Sequence, residues 1–161
     1  MRLLRHLLAP AAHRWFPEDA MTRITAAIDA GELRHSGEIC FAVEPALHWL
    51  DVLRGVDPRK RAEDAFARLR VWDTEHNTGV LLYLLLADHR IELVADRGLR
   101  GVTQDQWRAV CARIEADLQA GDRAGAVVHG IESLSDLLEQ HAPLGAGRAD
   151  VDELPNRPRF L

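Results

Sequence analysis

The chain has 161 residues, a length that suits one domain built around one hydrophobic core. Hydrophobic residues make up 47% of the chain and charged residues 28%, as in an ordinary globular protein. The formal net charge is −5, so the composition gives no bias toward nucleic acid, and we expect no nucleic-acid partner. No apolar run reaches the roughly 20 residues that a membrane span requires.

Residues 1–16 predict a basic amphipathic segment. They contain three arginines and no acid, and leucines recur at helical spacing (Leu3, Leu4, Leu7 and Leu8). Such a segment can lie on an anionic membrane surface, or it can pack as a helix on the domain or on a partner chain. It lacks the continuous apolar core of a signal peptide. We therefore expect a cytoplasmic protein, with a peripheral position at the inner membrane as the alternative.

Residues 17–143 predict one domain in which helices and strands alternate. Pro17, followed by two acids, is typical of a helix start. The stretch GEICFAVE (37–44) alternates between two faces and predicts the first strand. GVLLYLLLA (79–87) is apolar on both faces, as expected of a central strand. RIELVAD (90–96) follows a tight turn and predicts a third strand, antiparallel to the second.

The remaining segments predict helices and a tail. In PRKRAEDAFARLRVW, apolar residues recur on one side at helical spacing and charged residues occupy the other side. This pattern predicts an amphipathic helix between the first two strands. Thr103 predicts an N-cap and Gly121 a C-cap, and a last helix follows from Asp122 to about His141. Residues 144–161 predict an extended tail. The order α-β-α-β-β-α-α predicts an α/β fold, a single-domain α/β/α sandwich with a small mixed sheet.

This topology predicts a cluster of polar side chains at one end of the sheet. The end of the third strand should lie beside the start of the second, and the first strand should run parallel to the second. That end therefore gathers side chains from three segments of the chain: Glu38, Asp73, Glu75, His76, Asn77, Asp96 and Arg97.

The chemistry of this cluster favours a hard cation. Carboxylate and amide oxygens are ligands of Ca2+ or Mg2+, so Glu38, Asp73, Asn77 and Asp96 are the predicted metal ligands. His76 is the candidate catalytic acid or base. The competing interpretation is a solvated loop whose Asp and Asn residues satisfy turn and cap positions. The sequence contains no nucleophile elbow, phosphate-binding loop or paired Cys-x-x-Cys motif, and we expect no organic cofactor.

Four stretches carry a resemblance to a known family. They are HSGEICFAVE, AFARLRVWDTEHNTGVLLYLLLADHRIELVADRGL, Trp107 and AGDRAGAVVHGIESLSDLLEQHAP. In this order, over about residues 20–143, they resemble the TPM domain family, named for a thylakoid-lumen phosphatase, a photosystem II repair protein and an auxiliary protein of nicotinic receptors. The Arg/Leu-rich start and the ending ELPNRPRFL resemble a cytoplasmic-type bacterial branch, whose members often carry a membrane-protein label.

The resemblance implies an α/β/α sandwich and a role near membranes or in protein maintenance. It also implies calcium binding or hydrolysis of phosphate esters, which are attributed to some members. The family pattern falls on five positions of this chain: Glu38, Thr74, Asn77, Asp96 and Gly98. The chain departs from that pattern at His76, where many relatives carry Arg or Lys, and at Ala95, where a glycine commonly precedes the acid.

Two functions fit these observations. The first is a cytoplasmic binding or scaffold module near a membrane or a membrane protein. It would have a protein partner, touch the membrane surface through residues 1–16 and bind a divalent cation. The second is a metal-dependent phosphatase, in which Glu38, Asp73 and Asp96 hold the cation and His76 acts as acid or base or orients a water. The residues alone do not decide between a binding protein and an enzyme.

Overall fold

A computed structural model describes residues 1–145 and 153–161. Residues 146–152, part of the predicted tail, lie outside the described residues. The helices are α1 Arg2–Leu7, α2 Ala12–Trp15, α3 Glu18–Glu32, α4 Trp49–Leu53, α5 Pro58–Arg68, α6 Gln104–Ala120 and α7 Arg123–His141, with a 3-10 helix at Arg97–Leu99. The strands are β1 Glu38–Glu44, β2 Gly79–Leu85, β3 Arg90–Ala95 and β4 Arg159–Phe160.

The strands form one mixed sheet in the order β3-β2-β1-β4. Strand β1 is parallel to β2, with Glu38 opposite Gly79, and β3 is antiparallel to β2, with Ala95 opposite Val80. Strand β4 adds a short parallel pairing at the free edge of β1. The predicted α/β class and mixed sheet are confirmed, and β4 is a strand that the sequence patterns did not predict.

Helices cover both faces of the sheet, which gives the predicted three-layer sandwich. Ile39, Phe41 and Val43 of β1 belong to one buried cluster, together with apolar residues of α3, α6 and α7. Cys40 and Ala42 belong to a second cluster, which contains apolar residues of α5. Strand β1 is buried along its whole length because both faces are covered.

The N-terminal helix α1 is attached to the domain by a buried histidine. His6 is 5% exposed, and its Nδ1 accepts the N–H of Leu47 at 2.9 Å. Its Nε2 lies 3.0 Å from Oδ1 of Asp88, in the turn between β2 and β3. Because Nδ1 already accepts a hydrogen bond, Nε2 is the nitrogen that donates to the Asp88 carboxylate. Arg2 donates to the same carboxylate at 2.8 Å.

Candidate functional site

The loop between α5 and β2 is held in shape by its own residues. The hydroxyl of Thr74 accepts the N–H of Thr78 at 3.1 Å. Asn77 has a φ of 56°, a left-handed conformation that asparagine tolerates better than most residues. At Gly79, an added Cβ would lie 1.9 Å from the carbonyl oxygen of Val71, so no side chain fits there. The loop is therefore tightly closed against the start of β2.

The residues after β3 attach to this loop, as the topology predicts. Arg97 donates from Nε to Oδ1 of Asn77 at 3.1 Å, and the N–H of Gly98 donates to the Asn77 carbonyl at 2.8 Å. An added Cβ at Gly98 would lie 2.5 Å from the carbonyl oxygens of His76 and Asn77. A glycine at this position lets the two backbone segments lie against each other.

Asp96 is the acid of this region with an unsatisfied oxygen. Its Oδ1 accepts the N–H of Arg97 at 2.7 Å and so caps the 3-10 helix. Its Oδ2 is buried and has no hydrogen-bond partner among the described residues. A buried carboxylate oxygen without a partner is costly, so it marks a position where a cation or water would be stabilised.

Glu38 lies at the start of β1 and is 1% exposed. Its carboxylate accepts the N–H groups of Glu153 at 3.3 Å and Leu154 at 3.2 Å. The carboxylate of Glu153 in turn accepts the N–H of Glu75 at 2.8 Å. The C-terminal segment therefore joins the first strand to the loop, a contact that the sequence analysis missed. The motif ELPNRPRFL, which carries part of the family resemblance, was the available signal.

Asp73 and His76 lie on the exposed side of the loop. Asp73 pairs with Arg70 at 2.7 Å, and its side chain is 50% exposed. His76 is 46% exposed, and its Nε2 lies 3.9 Å from a Glu75 oxygen. Residues 1–145 and 153–161 contain no group of three His, Cys, Asp or Glu side chains placed to hold a metal ion. The metal ligands and the catalytic role of His76 therefore stay predictions.

The opposite end of the sheet carries two partly buried ion pairs. Arg61 donates to both oxygens of Glu44 at 2.8 Å, and the Tyr83 hydroxyl donates to the same carboxylate. Burial, together with this hydrogen bond, raises the pKa of Tyr83 above its usual range. Burial alone would also raise the pKa of Asp88, but hydrogen bonds from Arg2 and His6 outweigh it and hold that pKa below its ordinary value.

The sequence of the domain matches that of a known family. The sequence profile of the TPM domain matches residues 14–137, so the chain belongs to the TPM domain family. No curated protein sequence matches the chain. Within the described residues, no helix is long and apolar enough to cross a membrane.

Two solved structures are similar in fold. The NMR structure of the BA42 protein from the psychrophilic bacterium Bizionia argentinensis has a TM-score of 0.79 at 27% identity, over 91% of this chain and 95% of that one. The N-terminal domain of the cg2496 protein from Corynebacterium glutamicum has a TM-score of 0.55 at 15% identity, over 84% of this chain and 80% of that one. The second likeness shows the fold alone.

Proposed function

We propose that this TPM-domain chain is a cytoplasmic binding module that docks on the anionic surface of the inner membrane through α1 and α4. The proposal rests on the concentration of exposed apolar side chains on these two short helices, which pack against each other. Ten large hydrophobic residues are exposed among the described residues, and seven of them lie on or next to these helices: Met1, Leu4, Leu7, Leu8, Trp49, Leu50 and Leu53. An exposed apolar surface of this kind is typical of an interaction site.

The charges around this surface favour an anionic partner. Arg5 is half exposed, and Arg14 and Arg54 are exposed and make no ion pair within the described residues. Asp51 is the acid on α1 and α4. Asp88 is already paired with Arg2 and His6, and it lies 4.0 Å from Arg5. Apolar side chains and a tryptophan beside unpaired arginines suit the interface of an anionic bilayer.

Vesicle co-sedimentation tests this proposal. We expect binding to vesicles that contain phosphatidylglycerol and much weaker binding to pure phosphatidylcholine vesicles, because the arginines attract the anionic surface. Leu7→Glu or Leu53→Glu should each lower the partition coefficient about tenfold, since each removes a leucine that is 62% exposed and free to enter the bilayer.

Leu33→Glu is the matched control. Leu33 is 77% exposed but follows α3, away from α1 and α4 in the chain, so its substitution should leave vesicle binding unchanged. Equal loss in the control and in the Leu7 variant would contradict the proposed docking surface. Failure to bind either vesicle would contradict membrane docking itself and would leave a protein partner for the same surface.

A second candidate function is cation binding at Asp96, supported by its buried and unpartnered Oδ2. Carboxylate oxygen suits Ca2+ or Mg2+, and the carbonyls of the adjoining loop supply further oxygens near Gly98. Calcium or magnesium at a hundredfold excess over Kd should stabilise the protein by about 2.7 kcal/mol in thermal melting. Asp96→Asn should remove this shift, whereas Asp105→Asn, at an 86% exposed side chain of α6, should keep it.

Hydrolysis of phosphate esters is the alternative activity at the same ion, with His76 as acid or base. Asp96→Asn should then remove turnover and the cation shift together, whereas His76→Ala should remove turnover and leave the shift. Turnover that survives both substitutions would contradict a phosphatase site at this loop. A cation shift without turnover would support the binding module and contradict the enzyme.

A further inference from the structure

A cavity of about 480 Å3 lies beside the turn between β2 and β3, at the opposite end of the sheet from the loop of residues 72–79. Trp15 of α2 forms one side, and the end of α6 with the start of α7 forms another. Its volume lies within the range of about 300–1,000 Å3 that is usual for small-molecule sites. No residue of the candidate cation site lines it.

One part of the cavity wall is apolar. Leu84 and Leu86 are 3% and 5% exposed and belong to the main core, while Trp15 and Leu118 pack against that core from its edge. Water beside these four side chains finds few hydrogen-bond partners, so an apolar group that displaces it there is stabilised.

The rim of the cavity is basic. Arg90, Arg123 and His89 line it, and Glu115 is the single acid among the described lining residues. Arg90 is 57% exposed and also pairs with Glu92 at 3.5 Å. The Arg123 guanidinium lies 3.6 Å from the centre of the Trp15 ring and makes no ion pair within the described residues. Stacking on the ring holds Arg123 in place and leaves its N–H groups free to donate to an anion.

The cavity continues into an apolar trench of about 470 Å3 along α1. The two share Trp15, Leu86 and His89, and the trench is lined further by Leu4 and Leu8. The combined site is therefore elongated. Its length along α1 is lined by leucines and by Arg5, and Arg90 and Arg123 line the cavity, with Arg123 stacked on the shared Trp15. A straight hydrocarbon chain with one anionic end has this shape and this distribution of charge.

We propose that the cavity and trench bind a single-chain anionic amphiphile such as a fatty-acid carboxylate. The carboxylate lies between Arg90 and Arg123, and the chain runs past Trp15 into the trench. The interaction goes beyond membrane docking because it needs no bilayer: the ligand binds as a monomer from solution. Leu7 and Leu53, which carry the test of membrane docking, line neither the cavity nor the trench.

Titration with sodium dodecanoate below its critical micelle concentration tests the proposal by calorimetry and by amide chemical shifts. We expect saturable binding of one dodecanoate per chain, with shifts at residues around Leu118 and Arg123. Arg123→Glu and, separately, Arg90→Glu should weaken binding about tenfold or more. Arg113→Glu, at an exposed position of α6 outside the cavity, should leave the affinity unchanged.

Dodecyltrimethylammonium, with the same chain and the opposite charge, should bind at least about tenfold more weakly than dodecanoate. Equal binding of the two amphiphiles, or unchanged dodecanoate binding in both arginine variants, would overturn the proposal. The two proposals fail separately. If the Leu7→Glu variant loses vesicle binding but keeps dodecanoate binding, the result supports both membrane docking and the amphiphile site. If the protein binds vesicles but not dodecanoate, only the amphiphile site is overturned.

Discussion

The two ends of the sheet hold their acids in different ways. At the loop end, where β1 and β2 begin, Glu38 accepts N–H groups of the C-terminal segment and Asp96 caps a helix. At the hairpin end, Glu44 and Asp88 are each 7% exposed and pair with basic side chains. Ion pairs of poorly exposed carboxylates therefore contribute to stability at the hairpin end, although the sequence places more charged residues at the loop end.

The largest expected effect is at the hairpin end. Arg61→Met should lower the free energy of unfolding by about 3–5 kcal/mol, because it leaves the Glu44 carboxylate buried beside Tyr83 without its cation. Urea denaturation measures the change. Arg70→Met is the control, because its pair with Asp73 is exposed and should contribute about 0.5 kcal/mol or less. Equal losses in the two variants would remove the distinction between the two ends.

The stability of the loop end has its own dependence on pH through His35, which lies shortly before the start of β1 at Glu38. Burial lowers the pKa of His35 from 6.5 to about 4, so the unfolded chain takes up the proton first as the pH falls. The contribution of His35 to the free energy of unfolding is therefore complete above pH 6.5. It declines as the pH falls toward 4, by about 3 kcal/mol in all. His35→Gln should flatten this part of the stability curve; an unchanged slope would contradict the assignment.

At the hairpin end, Asp88 affects the stability of the protein in a lower pH range than His35 does. The pKa of Asp88 is held below the ordinary value of 3.8. Its contribution to the free energy of unfolding is therefore present above pH 3.8 and is lost only as the pH falls further. Asp88→Asn should cost about 2 kcal/mol at pH 7, because the charge-assisted hydrogen bonds from Arg2 and His6 are weakened. A cost below about 0.5 kcal/mol would show that α1 is held by its apolar contacts instead.

The smallest effect is expected in the loop itself. Asp73→Ala should change the free energy of unfolding by about 0.5 kcal/mol or less, because its pair with Arg70 is open to solvent. The same urea denaturation experiment measures it. A loss above about 1.5 kcal/mol would mean that Asp73 has a structural role that its exposed contact with Arg70 does not explain.

The sequence predicted most of the sheet because its strands have strong local patterns. Strand β1 alternates between two buried clusters, and β2 is apolar on both faces. Thr103 forms a capping box with Gln106, and Gly121 takes a left-handed conformation at a φ of 104° after α6. Each of these features depends on residues that are close in the chain, so a local pattern was sufficient to predict it.

Helix α4, the 3-10 helix and strand β4 were missed, and α4 and β4 show the physical reasons. Helix α4 has five residues, and the turn signals at Gly55 and Pro58 follow it closely, so no apolar period could develop. Strand β4 has two exposed residues and forms by pairing with β1, more than 100 positions earlier in the chain. Neither element has a local pattern long enough to predict it.

The sequence by itself determined the fold class, the family resemblance and the proximity of Asn77 to Arg97, because hydrophobic period and strand direction dictate them. Only the tertiary structure decided which acids are satisfied and by which partners: Glu38 by the C-terminal segment, Glu44 by Arg61, and Asp88 by Arg2 and His6. These contacts join segments that are far apart in the chain, and burial sets their energies. The exposed face of α1 and α4 and the basic rim at Arg90 and Arg123 likewise arise only when distant segments pack together.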